Sequence, residues 1–116
     1  MRKIYIAGPM RGIPMLNFPE FFRVAALWRA AGWEVINPAQ MDMDNGQDPA
    51  LDPNIEKNGI DFAEAMARDL PAVASCDAIA LMTGWGNSQG ANKELERALL
   101  LNKEVYDANT MALCQF

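Results

Sequence analysis

The amino-acid sequence predicts an α/β fold, on three observations. Short apolar runs alternate with longer segments of helical periodicity, which is the pattern of βαβ units. Glycine-containing loops follow two of the apolar runs, as at the strand ends of an open sheet. The 116 residues leave room for one core, so we assign residues 1–116 to a single domain. The prediction is a three-layer Rossmann-like or flavodoxin-like domain, with a mostly parallel sheet of four to five strands and helices on both faces.

The first third of the chain predicts two strands and one helix. Residues 4–7 are apolar and rich in β-formers, and they should form a central strand. Asn17 and Glu20 have the spacing of a capping box, so a helix is expected to begin there and to end at Gly32. Residues 34–36 form the second predicted strand, which an Asn-Pro pair ends.

Residues 40–58 differ in composition from the rest of the chain. They are acidic and rich in turn formers, and we predict a long loop of the kind that often serves as a lid. The spacing of Asp42, Asp44 and Gly46 resembles a calcium loop, but it does not match an EF-hand and no glutamate closes it. We therefore do not predict a metal site in this segment.

The second half of the chain predicts the remaining elements. A helix is expected from Asp61, and Pro71 should kink or split it because proline lacks a backbone donor. A strand over 77–82, a helix over 91–102 and a last strand over 103–106 follow. The apolar tail after them is predicted to pack on the domain or on a second subunit.

Composition excludes several classes of function. The net charge is −5 and no basic stripe is present, so a nucleic-acid polymer is not the expected partner. Histidine is absent, which assigns any acid–base chemistry to carboxylates or tyrosine. The two cysteines match no metal spacing and fit a reducing cytoplasm. We find no signal peptide and no apolar run that could span a membrane, and we expect a cytoplasmic protein.

Two glycine segments predict one ligand site, because loops after parallel strands meet at the same sheet edge. In the first, a strand leads into Gly8, Met10, Arg11 and Gly12, where the arginine guanidinium suits a phosphate. In the second, residues 84–94 lead into a helix whose first amides attract anions. Its candidate ligand-binding residues are Trp85, Ser88 and Gly90, and Glu94 is a candidate catalytic residue.

Each of these residues also has a purely structural interpretation. Arg11 can be a surface arginine in a turn, and Glu94 can face solvent beyond a glycine-rich turn. Asp69 can be a solvated helix residue, and Tyr5 a core residue. Trp85 can stack on a base or cover the core. The spacing alone does not decide between these interpretations, since it is neither a Walker loop nor a dinucleotide fingerprint.

The ordered set of motifs resembles the nucleoside 2-deoxyribosyltransferase-like superfamily. The resemblance is carried by the Ala-Gly-Pro-Met-Arg-Gly loop, by Arg68-Asp69-Leu70, by the strand from Cys76, and by the segment 84–94. It covers nearly the whole chain except residues 40–58 and the tail. The chain is similar to a small branch of uncharacterised domains common in phages and bacteria, and to nucleoside 5′-monophosphate N-glycosidases.

The resemblance implies roles for particular residues. Glu94 stands where the superfamily has the nucleophile that attacks the anomeric carbon, and Asp69 where an aspartate contacts the sugar and the leaving base. Ser88 and Arg11 stand at positions that hold the 5′-phosphate in the nucleotide-cleaving branch. Transferases that use unphosphorylated nucleosides carry an acidic residue at the position of Ser88, so the serine favours a nucleotide. We include Tyr5 among the candidate catalytic residues.

The expected activity is cleavage or transfer of the N-glycosidic bond of a (deoxy)nucleoside 5′-monophosphate. A glutamate nucleophile would form a covalent glycosyl-enzyme, as in retaining glycosidases, and no metal or other cofactor is needed. The alternative is a nucleotide-binding or sensing module of the same fold without turnover. The chemistry would make the enzyme a hydrolase (glycosidase) or a transferase, and we expect a homodimer or a higher homo-oligomer.

Overall fold

A computed structural model describes residues 1–116, apart from the side chain of Asn58. The chain forms five strands and five α-helices. The strands are β1 (Lys3–Ala7), β2 (Glu34–Ile36), β3 (Ala78–Leu81), β4 (Glu104–Asp107) and β5 (Leu113–Cys114). The helices are α1 (Phe18–Ala30), α2 (Pro38–Asp44), α3 (Pro53–Asn58), α4 (Phe62–Ser75) and α5 (Gln89–Leu100).

The five strands form one sheet in the order β2-β1-β3-β4-β5. The first four strands are parallel, and β5 runs antiparallel to β4. The order reverses at β1, because the chain moves from β1 to β2 on one side and then to β3 on the other. Such a reversal opens a crevice at the carboxyl ends of β1 and β3, which is where flavodoxin-like sheets bind ligands.

Helices cover both faces of the sheet, and each face has its own apolar core. On one face α1 and α2 pack against Ile4, Ile6 and Ala80. On the other face α4 and α5 pack against Tyr5 and Ile79. Successive strand residues point to opposite faces, so a strand buried on both sides carries an unbroken apolar run. The predicted three-layer α/β fold is confirmed.

Trp28 anchors α1 to the chain segment that follows β4. Its side chain is 1 % exposed and its indole Nε1 donates a 2.9 Å hydrogen bond to the carbonyl oxygen of Ala108. Trp33 and Tyr106 meet this ring edge-on, with ring centroids 5.3 and 5.6 Å away. The cluster ties the chain after β4 to the first helix of the domain.

The prediction of a long loop over 40–58 is wrong, because two helices occupy most of this segment. Asn37 caps α2, where its side chain accepts a hydrogen bond from the amide of Ala39 at 3.0 Å. Asp52 caps α3 in the same way through the amide of Asn54. Both helices begin with proline, which is favoured in a first turn. A capping residue followed by proline, as in Asn37-Pro38 and Asp52-Pro53, is typical of turns and also of helix starts.

Two further expectations about helix ends and breaks need correction. Asn17 precedes α1 in a left-handed conformation and makes no capping bond, since its side chain donates to the carbonyl oxygen of Pro9. Helix α4 runs through Pro71 without being split. Pro71 has no backbone N–H, so the carbonyl oxygen of Ala67 lacks the donor that a helix normally provides. Both residues lie on the exposed side of the helix.

The tail packs on the domain itself. Leu113 and Cys114 form the antiparallel edge strand β5, and the ring of Phe116 lies 6.2 Å from that of Trp85. None of the helices within the described residues has both the length and the apolar character needed to cross a bilayer.

Replacing Trp28 by phenylalanine should lower the free energy of unfolding by about 2 kcal/mol. The change leaves the buried carbonyl of Ala108 without its donor and opens a small cavity. Denaturant unfolding monitored by far-UV circular dichroism measures it. Trp33→Phe is the matched control, because Trp33 is only partly buried, and an equal loss in both variants would contradict the anchoring role of the Ala108 hydrogen bond.

Candidate active site

One cavity of about 300 Å³ opens at the carboxyl ends of β1 and β3, where the strand order reverses. The loop after β1 forms one wall and the first turn of α5 forms another. Helices α2 and α4 close the remaining sides. The cavity therefore lies in the crevice that this sheet order creates.

The two glycine segments meet at this cavity, as the sequence predicts. A Cβ added to Gly8 would lie 2.8 Å from the Cβ of Met82, so only glycine permits this approach of β1 to the end of β3. Gly84 has a φ of 88°, and a Cβ on it would lie 3.2 Å from Pro9 of the first loop. Both positions therefore require glycine where the two loops touch.

The amino end of α5 faces the cavity. Ser88 caps this helix, with its Oγ accepting a 3.1 Å hydrogen bond from the amide of Ala91. Gln89 and Gly90 also line the cavity, and amides in a first turn have no partner within the helix. The helix dipole and these donors make this end of the cavity attractive to an anion.

Arg11 also lines the cavity. Its guanidinium donates a 2.6 Å hydrogen bond to the carbonyl oxygen of Ile60, which lies just before α4. This contact connects the loop after β1 to the opposite wall. A guanidinium has five N–H donors, so the bond to Ile60 still leaves donors for a ligand.

Leu16 reaches the cavity through a strained turn. Met15, Leu16 and Asn17 have φ angles of 57°, 51° and 60°, a left-handed run that is costly for residues with side chains. A carboxylate oxygen of Glu56 accepts from the amide of Met15 at 3.0 Å, which helps to hold this turn. The buried Leu16 side chain then forms part of the apolar wall.

Glu94 lies at the bottom of the cavity and is 5 % exposed. Its Oε2 accepts a 2.5 Å hydrogen bond from the hydroxyl of Tyr5, a fully buried residue of β1. Glu94 is on the second turn of α5, with its side chain directed back toward the sheet. The tyrosine fixes the carboxyl group in one orientation.

Asp69 enters the same cavity from α4 and is 4 % exposed. Its Oδ1 accepts a 2.7 Å hydrogen bond from Nε of Arg68. The NH1 nitrogen of Arg68 donates in turn to Oδ1 of Asp42 at 2.6 Å. Asp42 belongs to α2, so one guanidinium connects carboxylates from two helices.

The electrostatics of this cluster favour a proton on Glu94. Burial, and then the neighbouring charge of Asp69, raise the pKa of Glu94 well above its usual range, although the Tyr5 hydrogen bond opposes this shift. Burial raises the pKa of Asp42 to about 6, with Arg68 acting in the opposite direction. Burial and the adjacent carboxylates raise the pKa of Tyr5, so its hydroxyl remains a donor.

Most of the predicted site residues come together. Residues from both glycine segments line the cavity with the two carboxyl groups: Gly8, Met10, Arg11, Ser88, Gly90, Asp69 and Glu94. Tyr5 lies behind the cavity wall and reaches it through Glu94.

Trp85 and Gly12 lie elsewhere. The Trp85 ring packs on the core beside α5 and against Phe116, because the short turn after β3 directs it away from the cavity. Gly12 borders a separate hollow next to α3. Neither residue is therefore placed to contact a ligand in the main cavity.

Sequence reasoning missed two site residues. Arg68 was noted only as part of a motif, and Asp42 fell in the segment predicted as a loop. The signal for Asp42 was the Asn37-Pro38 helix start, which places residue 42 one turn further along the buried side of a helix. Within the described residues, no group of three or more histidine, cysteine or acidic side chains is arranged to hold a metal ion.

The fold and the site define an α/β domain in which three buried carboxyl groups, those of Asp42, Asp69 and Glu94, line one cavity with the amino end of a helix. The chain belongs to the family described as "Domain of unknown function (DUF4406)", whose model matches residues 2–107. The match includes every residue that lines the cavity. Comparison with curated proteins gives no match.

Replacing Glu94 by glutamine should stabilise the fold at alkaline pH, by about 0.5–2 kcal/mol. The pKa of Glu94 is raised in the folded state. Between the pKa of Glu94 in the unfolded state and its pKa in the folded state, the native state binds one proton more than the unfolded state. The free energy of unfolding therefore falls as pH rises through that window. Glutamine removes this loss. Below about pH 4, where glutamate is protonated in both states, the advantage should vanish.

Thermal unfolding across this pH range measures the effect. Glu96→Gln is the matched control, because Glu96 is an exposed residue of the same helix. An equal or smaller gain from Glu94→Gln would contradict the unfavourable burial of its charge.

Proposed function

We propose that the protein cleaves or transfers the N-glycosidic bond of a (deoxy)nucleoside 5′-monophosphate, with Glu94 as the nucleophile. The observation that carries the proposal is that Glu94 and Asp69 face one cavity and are both buried. Glycosidic chemistry of the retaining kind needs one carboxylate to attack and one acid to assist departure. We infer on the same grounds that the family belongs to the nucleoside 2-deoxyribosyltransferase-like superfamily.

In the mechanism we propose, the two carboxyl groups share one proton. Glu94 holds it in the free protein, where burial and the neighbouring charge of Asp69 favour the protonated form. When a nucleotide binds, the proton passes to Asp69 and leaves Glu94 as the carboxylate.

The bond changes then balance without a metal. A Glu94 oxygen attacks C1′, the bond between C1′ and the base nitrogen breaks, and its electron pair stays on the base, which takes the proton from Asp69. In the second step water attacks C1′ of the glycosyl-enzyme, the bond between C1′ and the Glu94 oxygen breaks with its electron pair returning to the carboxylate, and the water gives a proton to Asp69. A second base in place of water would make the reaction a transfer.

The amino end of α5 is the phosphate site in this proposal. Ser88, the first amides of the helix and Arg11 form one group of lining residues, and the carboxyl groups of Glu94 and Asp69 form another. A negative phosphate fits the first, and a sugar carbon that gains positive charge in the transition state fits the second. The presence of both groups in one cavity supports a phosphorylated sugar as substrate.

The second candidate is a nucleotide-binding or sensing module without turnover. A hydrogen-bonded, buried Glu94 that merely supports the fold would favour this alternative. The pairing of Glu94 with Asp69 argues for catalysis, since a structural role for Glu94 does not need a second buried carboxyl group beside it. We further propose that the protein acts as a homo-oligomer, because the large apolar residues Leu100 and Phe116 are 71 % and 68 % exposed. We also propose that it is cytoplasmic.

Glu94→Gln should abolish release of free base while nucleotide binding persists, because the amide keeps the hydrogen bond to Tyr5 but cannot attack C1′. The assay incubates the protein with a panel of ribo- and deoxyribonucleoside 5′-monophosphates and separates free base by chromatography. Glu96→Gln serves as the control and should retain activity. Absence of base release from every nucleotide tested, with binding intact, would leave the sensing module as the function.

Arg11→Ala and Ser88→Ala should each weaken binding of a nucleoside 5′-monophosphate by about 10- to 100-fold, the value of a lost charge-assisted hydrogen bond. The corresponding nucleoside, which lacks the phosphate, should lose far less. Isothermal titration calorimetry on both ligands measures the difference, with Arg97→Ala on the exposed side of α5 as the control. Equal losses for nucleotide and nucleoside would argue against a phosphate site here.

A further inference from the structure

Asp42 occupies an unusual position for an aspartate. It is 1 % exposed, belongs to the short helix α2, and lines the cavity. Its hydrogen-bond partner is Arg68, which joins it to Asp69 across 2.6 and 2.7 Å contacts. Taking a carboxylate and a guanidinium out of water is costly, and the attraction between them often does not repay that cost.

The geometry of Arg68 shows what this contact does. The Nε of the guanidinium donates to Asp69 and NH1 donates to Asp42, so the planar group is held at two points by different helices. Without Asp42, Arg68 would be held at one point only and could rotate about its side-chain bonds. Asp69 would then lose the fixed donor that orients its carboxylate.

We propose that Asp42 is a positioning residue of the carboxyl site, acting through Arg68 to orient Asp69 and to set the net charge that Glu94 faces. This proposal extends the proposed function, and the catalytic role of Asp42 rests on that function. Hydrogen bonds connect Asp42 to Arg68 and Arg68 to Asp69, and the carboxyl group of Glu94 is next to Asp69.

The charge balance of the cavity depends on this arrangement. The ionisable groups that face it are Asp42 from α2, Arg68 and Asp69 from α4, Glu94 from α5 with Tyr5 of β1 behind it, and Arg11 from the first loop. Asp42 neutralises much of the Arg68 charge. Its removal would expose Glu94 to the full positive charge of Arg68 and would favour the ionised form of Glu94.

The test measures the protonation of Glu94 in the ligand-free protein. Carboxyl ¹³C NMR titration should give a lower Glu94 midpoint in Asp42→Asn than in the wild-type protein. Asp44→Asn removes the same charge from an exposed residue of the same helix and should leave the midpoint unchanged. An unchanged midpoint in Asp42→Asn would overturn the proposal, and this readout does not require that the protein turn over a nucleotide.

A measurement on the wild-type protein covers the case in which Asp42→Asn does not fold. The chemical shift of the Asp69 carboxyl carbon should report the titration of Asp42, whose pKa is raised to about 6, as a step near that pH. Absence of that step would contradict the coupling through Arg68.

Activity gives an independent arm where turnover is observed. Asp42→Asn should lower kcat by about 10- to 100-fold with little change in KM, and should shift the acidic limb of the pH profile downward. Arg68→Lys should behave similarly, because an ammonium cannot donate along two fixed directions. An equal rise in KM with an unshifted profile would indicate a merely structural role and would overturn the proposal.

Discussion

The close approach of two buried carboxyl groups is the constraint on which this structure depends. Glu94 and Asp69 come from different helices and lie in one cavity, where like charges repel and water is largely excluded. Tyr5 fixes the first and Arg68 the second. A pair of this kind is unfavourable for stability, and it persists because the surrounding elements hold both groups in place.

The sheet supplies that support. Parallel strands bring their carboxyl ends to one edge, and the reversal of order at β1 separates the two helical layers above that edge. Helices α4 and α5 lie on the same face, so Asp69 and Glu94 approach each other from neighbouring helices. Helix α2 lies on the opposite face, and Asp42 reaches Arg68 across the open end of the crevice. The cavity is therefore built from both layers.

Local patterns predicted the elements whose causes are local. The apolar runs of β1 and β3, the cap at Asp61, and the glycines that allow loop contact are all visible in the chain itself. The direction of Trp85 was not predictable, because it depends on how the turn after β3 packs against the tail. Asp42 was missed because proline after a capping residue was interpreted as a turn, and its partner is 26 positions away in the chain. Long-range pairing of this kind follows from tertiary packing, which spacing does not encode.

The two outermost strands of the sheet are the shortest ones. Strand β2 has three residues and β5 has two, and a helix beginning at Pro38 follows β2 directly. Exposed strand edges can pair with other chains and start aggregation, and short edges next to proline offer few unpaired groups for this purpose. The apolar strands in the centre are thus shielded from edge-to-edge association, and contacts between copies of the chain are left to its side-chain surfaces.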